Sequence, residues 1–522
     1  MKTSRLRYPA PFGTWMVFGV SLSLLGGCGP AEDADGSGLN AEEITCSSDK
    51  AAGDYCGVSL TQSLAAASDA SLSTATAFDS ATGRNASFGI KEYLFRYKTQ
   101  IKPDGVTELI DATGVLLIPE GTAPAGGFPV LMWAHGAVGG ADQCAPSSDS
   151  VAALESTARH YAARGFMVVA PDYAGLGVDD VPHFFLVKEP TAYSVLDSIH
   201  AAIQYAEDNS ISVNKDKVVM LGLSQGGQAV LFAHEYYDGS EAYRANDFTL
   251  VGSASLAPAP AWKNALFAAQ VYASALPGSL AAFAASYLHS ASLYQSSLDA
   301  GVLMSTADLA AIEAGYESKC TAELATGTFS TTLSSFATAA MQNVVGMAFA
   351  GFACYLTGDS GSTPMGIPAN MCGALNTTFS LSGGSTAAAS SITAYPDQIL
   401  AASGSAAWAA QMVEDSPASG LAGSTIPIRM VQGMLDTTVS PYMTVPLMHS
   451  MLMSGNYLAK SDGSPITTDF ATAVSGALVS CNSDGTGTPT DVIACDAGHS
   501  GATGILNKFS MYSDWVFDRA GL

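Results

Sequence analysis

The chain has 522 residues and a formal charge of −25, with 48% hydrophobic and only 13% charged side chains. That balance excludes a disordered polar chain and a small disulfide-held module, and it leaves room for a large core with insertions. Sparse Lys and Arg exclude nucleic acid as a partner, because phosphate recognition needs concentrated cations, and the acidic excess reads as a solubilising surface.

Residues 1–27 read as an export signal. Lys2, Arg5 and Arg7 precede an apolar stretch over 15–25 that is too short to cross a bilayer as a mature helix. Leu25-Gly26-Gly27-Cys28 resembles a bacterial lipobox, so Cys28 is the expected lipidated residue and membrane anchor. A plain secretory signal with a coincidental cysteine is the alternative. The expected location is the bacterial outer membrane or cell surface, and otherwise the medium. Residues 28–60 read as a tether and N-terminal segment. Eight cysteines remain besides Cys28, an even number that suggests disulfides in an exported chain. Cys46–Cys56 and Cys481–Cys495 are the expected pairs because each closes a short loop. No Cys/His spacing suggests a metal site.

A first core segment is expected over 61–262. Residues 88–99 and 107–119 read as two strands about the turn Pro103-Asp104-Gly105. The run Phe128-Pro129-Val130-Leu131-Met132-Trp133-Ala134 has the signature of a strand covered on both faces. Residues 151–164 read as a helix and 165–170 as a further buried strand. Over 191–206, helical spacing puts Val195, Ile199, Ala202 and Ala206 on one face. Lys217-Val218-Val219-Met220-Leu221 reads as a short strand, and a helix opens over 227–234. Between them lies Gly222-Leu223-Ser224-Gln225-Gly226, a G-x-S-x-G in strand-turn-helix context. That is the nucleophile elbow of the α/β-hydrolases. With 52 glycines in the chain the bare pattern carries little weight; its context singles out Ser224. Another strand is expected over 248–257, and the alternation argues for a mostly parallel α/β sheet.

The rhythm breaks over 263–423, where 161 residues carry 11 charges and no arginine. This reads as a large, mainly helical cap inserted after the strand that follows the nucleophile helix. An unrelated helical domain is the alternative, but a strand pattern resumes at Ile428-Arg429-Met430-Val431-Gln432, opening a second core segment over 424–522.

A serine hydroxyl needs a base, and the base needs a third group to orient it. In this fold the order along the chain is Ser, acid, His, each just after a strand. Asp436 follows the resumed strand, and His499 follows the apolar Val492-Ile493-Ala494. The histidines before Ser224 are excluded as base by order. The oxyanion needs two fixed donors. Gln225 N–H supplies one, and the loop His135-Gly136-Ala137 the other, through Ala137 or alternatively Gly136, with His135 bracing the loop.

These residues resemble a family. His135-Gly136 with Ala141-Asp142-Gln143-Cys144-Ala145-Pro146-Ser147 is similar to the oxyanion-loop region of the secretory lipases, the Candida lipase A-like group and its bacterial relatives. Ala170-Pro171-Asp172-Tyr173-Ala174-Gly175-Leu176-Gly177 and Ser194-Val195-Leu196-Asp197-Ser198 resemble its strand-end motif and following helix. The similarity covers about 88–260 and resumes over 424–522. It implies an α/β-hydrolase whose helical cap shapes an acyl pocket, carboxylic ester hydrolysis without a cofactor, and Ser224, Asp436 and His499 as the triad. The expected activity is therefore a lipase or esterase acting on apolar acyl esters. A short-chain carboxylesterase or polyester hydrolase is the near alternative; a serine peptidase and a non-catalytic surface lipoprotein are the alternatives from other classes.

Overall fold

A computed structural model describes residues 44–65, 83–148, 152–178, 181–259, 278–304, 306–321, 406–416, 424–433, 504–507 and 512–522, with positions 324, 421, 436, 438, 439, 444, 494, 495, 499 and 509. Cys28 and the export signal, Cys481 and most of 263–423 lie outside the described residues. All of those described belong to one unit, Leu39–Leu522.

The strands are β1 (Tyr55–Leu64), β2 (Gly89–Ile101), β3 (Glu108–Glu120), β4 (Phe128–Ala134), β5 (Met167–Pro171), β6 (Val213–Leu223), β7 (Leu250–Leu256), β8 (Ile428–Gly433) and β9 (Ala494–Cys495). They form an eight-stranded mixed sheet, extended by the two-residue β9, in the order β1-β2-β3-β5-β4-β6-β7-β8-β9. From β1 to β5 neighbours in the sheet run antiparallel; from β5 through β4 to β9 they run parallel.

Strand β4 is buried along its whole length because alternate residues serve two cores. Leu131 and Trp133 enter one, while Val130, Met132 and Ala134 enter the other. Helices α1 (Ala152–Ala162) and α7 (Ser513–Ala520) cover the first face, through Ala158, Tyr161, Trp515 and Phe517. Helices α2 (Lys188–Asp208) and α3 (Gln225–Asp238) cover the second. Val195, Ile199, Ala202 and Ala206 are all fully buried there, as their helical spacing predicts. Each large apolar side chain so buried contributes about 1.5–3 kcal/mol relative to exposure. Asp197 of α2 is a buried carboxylate that accepts from Thr99 Oγ1 at 2.8 Å, Tyr243 OH at 2.8 Å and Arg244 Nε at 2.9 Å.

Strand β1 has no counterpart in the sequence reading, which leaves 55–64 without an element and divides the chain at 60. Cys56, Val58, Leu60 and Leu64 alternate with Gly57, Ser59, Thr61 and Ser63, but Gln62 breaks the apolar face, and the pairing with β2 is interrupted by register shifts at Tyr55/Gly57 and Leu60/Gln62. A disulfide between Cys46 and Cys56, expected from spacing, holds this edge with a Cα–Cα distance of 4.9 Å. A second disulfide, Cys144–Cys320, was not expected.

β7 and β8 are hydrogen-bonded neighbours, Ser253 opposite Ile428 and Leu256 opposite Val431, although residues 257–427 come between them in the chain. The described helices of that interval are α4 (Gly278–Tyr294), α5 (Thr306–Gly315) and α6 (Ala406–Glu414). Asp415, at the end of α6, ties them to the sheet's helices. Its carboxyl accepts from Lys188 N–H at 2.7 Å and from Tyr287 OH at 2.9 Å, and its carbonyl accepts from Gln228 Nε2 at 3.3 Å. Burial pushes this carboxyl up to about 6.

Candidate active site

Parallel strands place their C-terminal ends along one edge of a sheet, where side chains from separate parts of a chain meet. Four such ends converge here: β4 leads into His135-Gly136-Ala137, β6 into Ser224, β8 into Asp436 and β9 into His499. Ser224 has φ 60° and ψ −117°, a strained conformation for a non-glycine residue. Its backbone N–H donates to Leu256 O at 2.9 Å, which locks the turn against β7. Close approach explains the flanking glycines. A Cβ on Gly222 would lie 2.2 Å from Gly226 O, and one on Gly226 would lie 1.9 Å from Ala134 O.

His499 stands between the other two residues. Its Nδ1 lies 2.7 Å from Asp436 Oδ2, and its Nε2 lies 3.0 Å from Ser224 Oγ. The carboxylate can only accept, so Nδ1 carries the proton and Nε2 is free to accept from the serine hydroxyl. Asp436 is itself held: Oδ1 accepts the N–H groups of Thr438 and Val439, both at 2.8 Å. Its side chain is fully buried, whereas the imidazole keeps 14% of its surface exposed. Such a chain of contacts can pass a proton from hydroxyl to imidazole while the carboxylate stabilises the cation formed.

Gln225 opens α3, so its N–H has no partner within the helix, and the helix N-terminus favours developing negative charge beside Ser224. The Gly136 backbone runs alongside; a Cβ built there would sit 3.6 Å from Ser224 Cβ. His135 does not reach the serine in hydrogen-bonding terms. Its Nδ1 donates to Gly136 O at 2.7 Å, its carbonyl accepts from Tyr173 OH at 2.7 Å, and its ring lies 4.4 Å from that of Tyr173. Burial lowers His135 to about 4, so it is neutral at neutral pH.

The loop after β4 is also fastened to the inserted stretch. Gly139 and Cys320 form an antiparallel bridge, Thr321 N–H donates to Val138 O at 2.7 Å, and Cys144 is joined covalently to Cys320. Next to these contacts lies a small cavity of about 10 Å³, walled mainly by Phe185, Ala282, Phe283, Tyr316 and Leu324, with Ser286 and Thr321 at its side. Behind the loop, buried Asp172 accepts from Ser147 N–H at 3.0 Å and Thr113 Oγ1 at 2.8 Å, and burial raises it to about 6. One residue with no signal in the sequence borders the elbow, and a second holds it there. His183 meets the Gln225 side chain at 3.0 Å, and Tyr316 OH donates to His183 O at 2.8 Å. Among the described residues no group of three or more His, Cys, Asp or Glu is placed to hold a metal, and no helix is long and apolar enough to cross a membrane.

Comparison with known proteins gives three results. Residues 155–355 match the family described as secretory lipase, a stretch that includes Ser224 and stops short of Asp436 and His499. No curated protein matches the chain in sequence. Among solved structures, the rice cell wall degrading esterase LipA of Xanthomonas oryzae is similar, with TM-score 0.54 and 17% identity over 89% of this chain and 97% of that one. A hydrolase of Legionella pneumophila, itself described as putative, is similar at TM-score 0.51 and 15% identity, covering 90% of this chain and 96% of that one. Candida antarctica lipase A overlaps less closely, at TM-score 0.47 and 14% identity over 92% and 95% of the two chains. The first two likenesses show the fold alone, an α/β fold with a mixed, mostly parallel sheet.

Proposed function

Because residues 155–355 match the secretory lipases, and that family implies ester hydrolysis, we propose that this chain is a serine hydrolase of carboxylic esters acting through Ser224, His499 and Asp436. The observation that carries the reading is the imidazole of His499, 2.7 Å from a buried carboxylate and 3.0 Å from the elbow hydroxyl. His499 takes the Ser224 proton as the hydroxyl attacks the ester carbonyl, and returns it to the departing alcohol. Water, deprotonated by the same imidazole, then cleaves the acyl-enzyme. Gln225 N–H and Ala137 N–H receive the oxyanion in both steps.

The core comprises 55–262, from β1 onward, and 424–522, and 263–423 forms the cap. An apolar acyl group is the favoured substrate part, since the inserted stretch 263–423 is dominated by apolar and small residues and carries few charges, as an acyl chain's wall requires. The chain is exported on a signal spanning 1–27 and anchored through a lipidated Cys28. Ser224→Ala tests the chemistry. Turnover of a soluble ester should fall by roughly a million-fold, and labelling by a fluorophosphonate should vanish. Near-normal turnover in that variant rejects the assignment. A panel of esters graded in acyl length then separates long-chain from short-chain preference.

A further inference from the structure

The connection from β5 to α2 touches both walls of the proposed oxyanion site. Tyr173 OH holds the carbonyl of His135, immediately before Gly136, and ten residues later the ring of His183 lies against Gln225. The hydrogen-bond roles at His183 are forced. Nδ1 is 3.0 Å from Ala174 O, which can only accept, so Nδ1 carries the proton. Burial lowers the group to about 4, so the ring is neutral near neutral pH and Nε2 offers a lone pair. The Gln225 amide NH2, 3.0 Å away, therefore donates to it.

His183 also has a second set of contacts. Its carbonyl accepts from Tyr316 OH at 2.8 Å and from Ser290 Oγ at 3.3 Å; Ser290 lies on α4, and Tyr316 follows α5. One residue thus meets the elbow through its ring and the inserted helices through its peptide. Ser224 is held in a strained backbone conformation, and the peptide joining it to Gln225 is gripped on its carbonyl side by Gln228 N–H at 3.1 Å, which leaves the Gln225 side of that peptide to be fixed. A side chain clamped at the first position of α3 supplies such a restraint.

We infer that His183 is a positioning residue for the proposed ester hydrolysis: by accepting from the Gln225 side chain it fixes the orientation of the Gln225 N–H toward the oxyanion, and it couples that orientation to the inserted helices. This rests on the serine-hydrolase reading above. A histidine serving only the packing of the core would leave kcat alone and lower thermal stability.

A double-mutant cycle separates the two. His183→Leu, Gln225→Ala, the double variant and His183→Gln are assayed for kcat and KM on p-nitrophenyl butyrate, with thermal midpoints measured alongside. Removing an oxyanion donor outright costs 10²–10³ in kcat, so a donor left in place but loosened should cost about tenfold. That loss is expected for either single substitution, with KM within about twofold. The double variant should be no slower than the slower single one, because both remove the same contact. His183→Gln, whose amide oxygen can accept in place of Nε2, should restore most of kcat. Losses that multiply in the double variant, or a normal kcat with only a lowered midpoint, overturn the proposal. If His183→Leu does not fold, Gln225→Ala and Gln225→Leu decide, since both keep the backbone N–H and must show the tenfold loss. Fluorophosphonate labelling of the wild type keeps the failures apart. No labelling at Ser224 sinks the serine-hydrolase reading, whereas normal labelling with multiplicative losses sinks only the role of His183.

Discussion

Removing the two disulfides separately should reveal how differently they stabilise the chain. Cys144 and Cys320 are separated by 176 positions, Cys46 and Cys56 by 10. A cross-link stabilises chiefly by restricting the unfolded chain, and the gain grows with the logarithm of the loop it closes. The relation gives ~5 kcal/mol for the long loop and ~3 kcal/mol for the short one. Their difference, ~2.5 kcal/mol, depends only on the ratio of loop lengths and is the firmer quantity. The perturbation is Cys144→Ser with Cys320→Ser, set against Cys46→Ser with Cys56→Ser. Guanidinium unfolding under non-reducing conditions gives the free energies, provided the slopes agree with wild type. The bridge between Gly139 and Cys320 and the bond from Thr321 N–H to Val138 O do not need the sulfurs, so native contacts largely persist. An equal or greater loss from the Cys46/Cys56 pair would refute the reasoning. Because those backbone contacts keep the loop that carries Ala137 in place, kcat should change little in either variant.

Asp436→Asn should lower kcat by roughly 10⁴-fold, since an amide facing His499 Nδ1 forces the other tautomer and removes the acceptor that Ser224 needs; ester turnover within tenfold of wild type would count against it. Asp415 predicts a pH dependence of stability. Burial raises its folded pKa to about 6 from the ordinary 3.8 of an aspartate, so the folded state binds the extra proton. Folding is therefore penalised by ~3 kcal/mol above pH 6, and the penalty lifts as pH falls from about 6 to 4. Relative to Asp415→Asn, which does not titrate, wild type should gain that amount between pH 7 and pH 4; parallel curves would contradict it. Cys28→Ser should move the protein from the membrane fraction to the soluble one with activity retained, and unchanged fractionation would speak against the anchor.

The sequence was legible where the physics is local. β4 could be read because a strand with two covered faces must be apolar throughout, and the α2 stripe because four residues at helical spacing share one side. The elbow could be read because close backbone approach at Gly222 and Gly226 admits no side chain. β1 escaped notice because it is an edge strand rich in Ser, Thr and Gln, with an apolar face that Gln62 interrupts. Cys144–Cys320 escaped for a related reason: spacing arguments favour short loops, and nothing along 176 positions announces a long one. His183 was excluded as a base by its place before Ser224, and that exclusion says nothing of a neighbour to Gln225. Its contact depends on how the β5–α2 connection folds back across the sheet edge, a tertiary fact with no local imprint.

The distance along the chain between the elbow and its base has a consequence for synthesis. His499 follows Ser224 by 275 residues. At roughly 5–20 residues per second, the ribosome adds that stretch in about 14–55 s. Throughout that interval the nascent chain holds a serine with no proton acceptor beside it. If the proposed reading holds, hydrolytic power arises only once the last strands dock, and the chain stays inert while it is being made.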